Sequence, residues 1–180
     1  MNRFKVLLPV LAAVVLLAGS VAPAFAAGPP PFAGRPPKET IVEVASKVNE
    51  ETGEFSILIA ALEAADPVVL ETLDGNGQFT VFAPTDQAFL DLLDELGLTA
   101  EQLLAEKELV TEVLLYHVAP GRRNSKAVLG SSRINTLQGG FLMQDGGVLT
   151  DNNGRTSKII GTDVKAANGI IHVIDTVVLP

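Results

Sequence analysis

The chain contains no cysteine, which excludes disulfides, thiol chemistry and cysteine-ligated metals together. Histidine is almost as scarce: His117 and His172 are the only two. Two distant histidines without an acidic partner motif are too few ligands for a metal. Serine is present, but none of Ser46, Ser56, Ser125, Ser131, Ser132 or Ser157 sits in a nucleophile elbow or beside a histidine. The chain is therefore expected not to be an enzyme and to need no cofactor. Asp74-Gly75-Asn76 opens like a calcium loop, yet Gln78, Phe79 and Thr85 stand where that loop wants a ligand, its glycine and its glutamate, so the segment reads as a turn. An Arg-Gly-Asp tripeptide and an Asn-x-Ser/Thr sequon are both absent. Positive charge is short as well, with 13 Lys and Arg against 21 Asp and Glu. That balance argues against nucleic acid and anionic membranes as partners.

Only the N-terminus carries a long apolar run. Arg3 and Lys5 precede Val6 to Ala18, and Ala24-Phe25-Ala26 supplies the small residues that a signal peptidase reads. Residues 1 to 26 are read as a secretory signal peptide, so the protein is expected to be secreted, extracellular or periplasmic, with no integral membrane anchor after cleavage. An uncleaved anchor is the rival reading, although the run falls short of the roughly 20 residues of a span. Cleavage removes two basic and no acidic residues, leaving 11 against 21 and a net charge of −10. Residues 27 to 38 are proline-rich and read as a linker, with a docking motif as the alternative. The single remaining domain, 39 to 180, is large enough to bury a core without staples.

Its first half has a helical period. Thr40 is a good N-cap for Ile41, Val44, Ala45 and Val48; Phe55, Leu58, Ile59 and Leu62 form a second stripe ending near Asp66-Pro67, and Val68 to Leu70 add a turn. A strand is expected over 78 to 83, followed by a helix capped at Thr85, with Phe89, Leu92, Leu93 and Leu96 buried and Gly97 as its stop. Thr99 starts a short helix, and 106 to 116 form another with Leu109, Val113 and Tyr116 inward. Beyond Pro120-Gly121 the pattern becomes short alternating strands near 141 to 143, 148 to 150 and 158 to 162, separated by Asp145-Gly146-Gly147 and Asn152-Asn153-Gly154. Ile170, His172, Ile174 and Val178 should face one way and Ile171, Val173 and Val177 the other, which marks a central strand fed by an Asn168-Gly169 turn. No internal repeat is visible.

Three segments in order, TVFAPTDQAF (80 to 89), LYHVAPG (115 to 121) and NGIIHVIDTVVLP (168 to 180), resemble the fasciclin-like (FAS1, beta-Ig-H3) family. The resemblance covers essentially the whole mature domain. It implies an α+β fold, a wedge or sandwich of short strands packed with several helices, and a role in extracellular adhesion or matrix interaction. On this reading Thr85, Asp86, Tyr116, His117, Asn168, Gly169 and His172 are structural motif residues. Both histidines become buried hydrogen-bonding posts, and His117 is expected to reach the strand-to-helix junction at Thr85 or Asp86.

The partner is expected to be an extracellular protein or polysaccharide. Arg122, Arg123 and Lys126, the one basic cluster of the domain, are the candidate contact residues, with a solvated loop as the alternative. A lone module has no avidity from linked copies and should bind weakly or self-associate. Two other readings stay open: a carrier of an apolar pigment or lipid, as in some relatives, and a structural envelope component.

Overall fold

The computed structural model describes residues 38–180, so the expected signal peptide and all but the last residue of the linker lie outside the described residues. The helical half opens with α1 (Ile41–Thr52), whose start is fixed by a reciprocal cap. The Thr40 hydroxyl accepts from the Glu43 amide, and the Glu43 carboxylate accepts from the Thr40 amide. Next come α2 (Ser56–Ala64) and α3 (Pro67–Asp74). Pro67 stands in the first turn of α3, where its missing N–H costs nothing, and the helix runs for two turns instead of the expected one.

Strand β1 (Phe79–Pro84) leads into α4 (Asp86–Leu96), capped by Thr85 and stopped by a left-handed Gly97, as the sequence predicts. Helices α5 (Ala100–Ala105) and α6 (Lys107–Tyr116) complete the layer. The sheet half then contains β2 (Val118–Pro120), α7 (Ser125–Leu129), β3 (Arg133–Asn135), β4 (Phe141–Asp145), β5 (Val148–Thr150), β6 (Thr156–Ala166) and β7 (Gly169–Ile174). Gly146 and Gly147 both have positive φ, the conformation that a two-residue hairpin between β4 and β5 demands.

Among the described residues, seven strands form one sheet in the order β2-β1-β7-β6-β5-β4-β3. β7 is central, parallel to β1 and antiparallel to β6. Its alternation sorts side chains into two cores as expected. Ile171, Val173 and Val177 join the helices in the larger core, while Ile174 and Val178 join Phe82, Tyr116, Ile134, Leu142 and Leu149 in the smaller one. The fold is α+β, a curled sheet with helices packed against it.

The structure departs from the expected pattern in several places. β2, α7 and β3 are too short for a period to show, at three, five and three residues. β6 spans 11 residues rather than a short segment, because two register shifts let it bend across both cores while still pairing with β7. The β1–β7 pair is parallel, while the other neighbouring strands described pair antiparallel. Finally, Leu96 and Leu109, both expected to be buried, are 45% and 42% exposed. In α6 Val113 and Tyr116 face inward as expected, but Val110 and Leu114 are buried with them and Leu109 is not.

Candidate functional site

Asp86 is the first polar staple. It opens α4, and its carboxylate accepts from the amides of Ser56 (3.1 Å) and Ile57 (2.8 Å) at the start of α2, a helix with no cap of its own. The Asp86 amide donates to the Glu54 carbonyl. One side chain therefore places negative charge at the positive ends of two helices. Thr85 beside it is buried, accepts from the Ala88 amide and donates its own amide to the Ile174 carbonyl of β7.

Asn168 does the same work for three segments. Its amide oxygen accepts from the Ile41 amide at the start of α1 (2.8 Å), and its NH2 donates to the carbonyls of Leu73 (2.6 Å) and Gly75 (2.9 Å) at the end of α3. Only an amide offers an acceptor and two donors at one buried position. Gly169 follows for a steric reason: a Cβ there would lie 2.3 Å from the Phe79 carbonyl oxygen and 2.5 Å from Ile41.

The two histidines are buried and neutral, in opposite tautomers. His117 Nδ1 lies 2.7 Å from the Val113 carbonyl, and Nε2 lies 3.3 Å from the Val178 amide. A carbonyl can only accept and an amide only donate, so the proton is on Nδ1. His172 reverses this, with Nε2 donating to the Arg123 carbonyl (2.9 Å) and Nδ1 accepting from the Asp163 amide (3.4 Å) while the ring stacks on Phe82. Burial lowers both pKa values, that of His117 to about 4. The expected contact of His117 with Thr85 or Asp86 is corrected here. At the end of α6 its ring turns toward the C-terminal segment, because Val178 presents the amide it needs. Tyr116, one residue earlier, enters the smaller core and donates its hydroxyl to the Phe141 carbonyl at 2.7 Å.

Asp151 was not singled out in the sequence. It is buried and accepts from the amides of Asn153, Arg155 and Leu179, each at 2.9 Å. The Asp-Asn-Asn-Gly turn that contains it was the available signal. Together His117 and Asp151 hold Val178 and Leu179 of the C-terminal segment against the fold.

The basic cluster is divided. Arg122 commits its guanidinium to the carbonyls of Ala166 and Ala167 at the β6–β7 turn. The Arg123 amide donates to Thr80 Oγ1. Asp163, in the left-handed region at φ 62°, accepts from the Ser125 amide. The loop backbone is thus fixed from β1, β6 and β7. Lys126 is exposed on α7, and among the described residues neither it nor Arg123 is ion-paired.

One feature is not polar at all. A cleft of about 190 Å³ lies among α2, α4, α5 and α6, walled by Ala61, Phe89, Leu103 and Val113, with Leu179 contributing from the C-terminal segment. Its wall is entirely apolar, and it includes the two unexpectedly exposed leucines, Leu96 and Leu109.

The family model for the Fasciclin domain matches residues 53–180. Protein sll1483 of Synechocystis is 43% identical over 145 residues, covering 78% of this chain and 73% of the relative. The cell surface glycolipoprotein MPB83 of Mycobacterium bovis is 34% identical over 133 residues, covering 70% of this chain and 56% of its own. Among solved structures, a FAS1 domain pair from the insect cell adhesion molecule Fasciclin I superposes with a TM-score of 0.65 at 20% identity, covering 80% of this chain and 52% of that one. Motifs, fold and relatives agree, and the chain belongs to the Fasciclin domain family.

Proposed function

We propose that this chain is an exported, non-catalytic FAS1 module that acts outside the cytoplasm through contacts of its surface with an extracellular protein or polysaccharide. The observation that carries the reading is the use made of the motif residues. Asp86, Asn168, His117 and His172 each bond backbone groups of the domain itself, so the residues that look most like chemistry are consumed by architecture. What remains to meet a partner is the outer surface. The cell-surface relative and the adhesion molecule that shares the fold support the same reading. Among the described residues no helix is long and apolar enough to cross a membrane.

The test has two parts. N-terminal sequencing of protein recovered outside the cytoplasm should begin at Ala27, and the purified protein should bind cells or envelope polymers saturably, with Arg123→Glu and Lys126→Glu weakening the contact. Retention of residues 1 to 26, or binding that never saturates, would overturn the proposal.

The apolar cleft favours a second reading, in which the domain carries a small apolar molecule. Mass spectrometry of an organic extract of the purified protein should then find a stoichiometric compound.

A further inference from the structure

We infer that the cleft among α4, α5 and α6 takes a neutral hydrocarbon chain and discriminates against anionic lipids; this rests on the carrier reading. Size comes first. At about 190 Å³ the void exceeds the roughly 150 Å³ of an apolar cavity that stays dry and binds benzene. No polar atom lines the wall, so the part of a ligand that enters must carry no donor or acceptor, or it would lose its water without compensation.

Charge decides the rest. From Asp86 to Tyr116, the stretch that supplies α4, α5 and α6, the chain has eight carboxylates and a single cation, Lys107. Lys107 faces Asp66 at 3.8 Å. The other cation at these helices, Arg155, is held in a two-pronged pair by the Glu95 carboxylate, both contacts at 2.7 Å. Glu108, the chain neighbour of the rim residue Leu109, is exposed and, among the described residues, not ion-paired, whereas the charge of Glu95 beside Leu96 is offset by Arg155. A carboxylate or phosphate head emerging at the rim would meet an excess of carboxylates, with Lys107 and Arg155, among the described residues, already ion-paired. The same field opposes a second copy of this acidic face, so a small uncharged molecule suits the cleft better than self-docking does.

The experiment is a titration of the full mature protein with octanol and, separately, with octanoate at neutral pH, followed by methyl NMR of the cleft leucines and valines. Octanol should shift the signals of Leu96, Leu103, Leu109 and Val113. Octanoate should bind about tenfold more weakly, and the gap should narrow as salt is added. If octanoate binds as well as octanol, the charge selectivity is wrong while the carrier reading stands. If neither binds, both fall. Cleft shifts that depend on protein concentration without any probe would assign the cleft to a second copy and overturn the inference. Ala61→Leu, which fills the void, should abolish octanol binding. Leu109→Glu, an exposed change that the fold tolerates, tests the same point independently, and unchanged octanol affinity in it would place the site elsewhere.

Discussion

At the scale of single residues, the polar groups of this domain are joints between segments far apart in the chain. His117 shows what that means under acid. Burial holds its pKa at about 4, with the Val113 carbonyl and the Asp151 carboxylate pulling the other way. The unfolded state, near the ordinary 6.5, takes up a proton that the folded state refuses. Stability from this group is complete above pH 6.5 and is lost as pH falls toward 4, a total on the order of 3 kcal/mol. Protonation would also set Nε2–H against the Val178 N–H. Urea denaturation followed across this range should show stability falling steadily, with a shallower slope in His117→Gln; equal slopes would remove His117 from the account. Asn168→Asp should cost about 3 kcal/mol or more, because it replaces two donors with a charge facing the Leu73 and Gly75 carbonyls. A variant within about 0.5 kcal/mol of the parent would show that the joint relaxes.

At the scale of elements, the phase of α6 is the sharpest question. Val110 should matter and Leu109 should not: Val110→Ala is expected to lower stability by about 2 kcal/mol and Leu109→Ala by under about 1 kcal/mol. The reverse order in urea melts would restore the phase expected from sequence. Most elements were legible because they carry strong local signals: Thr40 and Thr85 as caps, Pro67 and Gly97 as boundaries, and the double alternation of β7. What was hidden is of two kinds. β2, α7 and β3 are shorter than any period, and Ile57 bonded by Asp86, Val178 bonded by His117 and Ile41 bonded by Asn168 lie 29 to 127 positions away in the chain, where local pattern has no reach. Leu96 and Leu109 failed for another reason. Hydrophobic spacing assumes that an apolar stripe is covered, and at the cleft it is left open.

At the scale of the whole molecule, the two cores share one seam. Val177 belongs to the larger core and Val178 to the smaller, while His117 and Asp151 bond the amides of Val178 and Leu179. Removing residues 177 to 180 should therefore damage both cores at once and take one hydrogen-bond partner each from the Asp151 carboxylate and the His117 imidazole. Calorimetry of that truncation should show no cooperative transition; a melt like that of the parent would mean the seam is ornamental. The pairing of β1 with β7 joins Phe79 to Gly169, so a long loop must close before the sheet is continuous, and refolding should be slow for a domain of this size.

The central place of β7 also sets a timetable. The strand that sits between β1 and β6 is the last of the seven to leave the ribosome, and neither core can close around a strand that does not yet exist. Until β7 has been made, the chain is thus held back from its final form by its own topology.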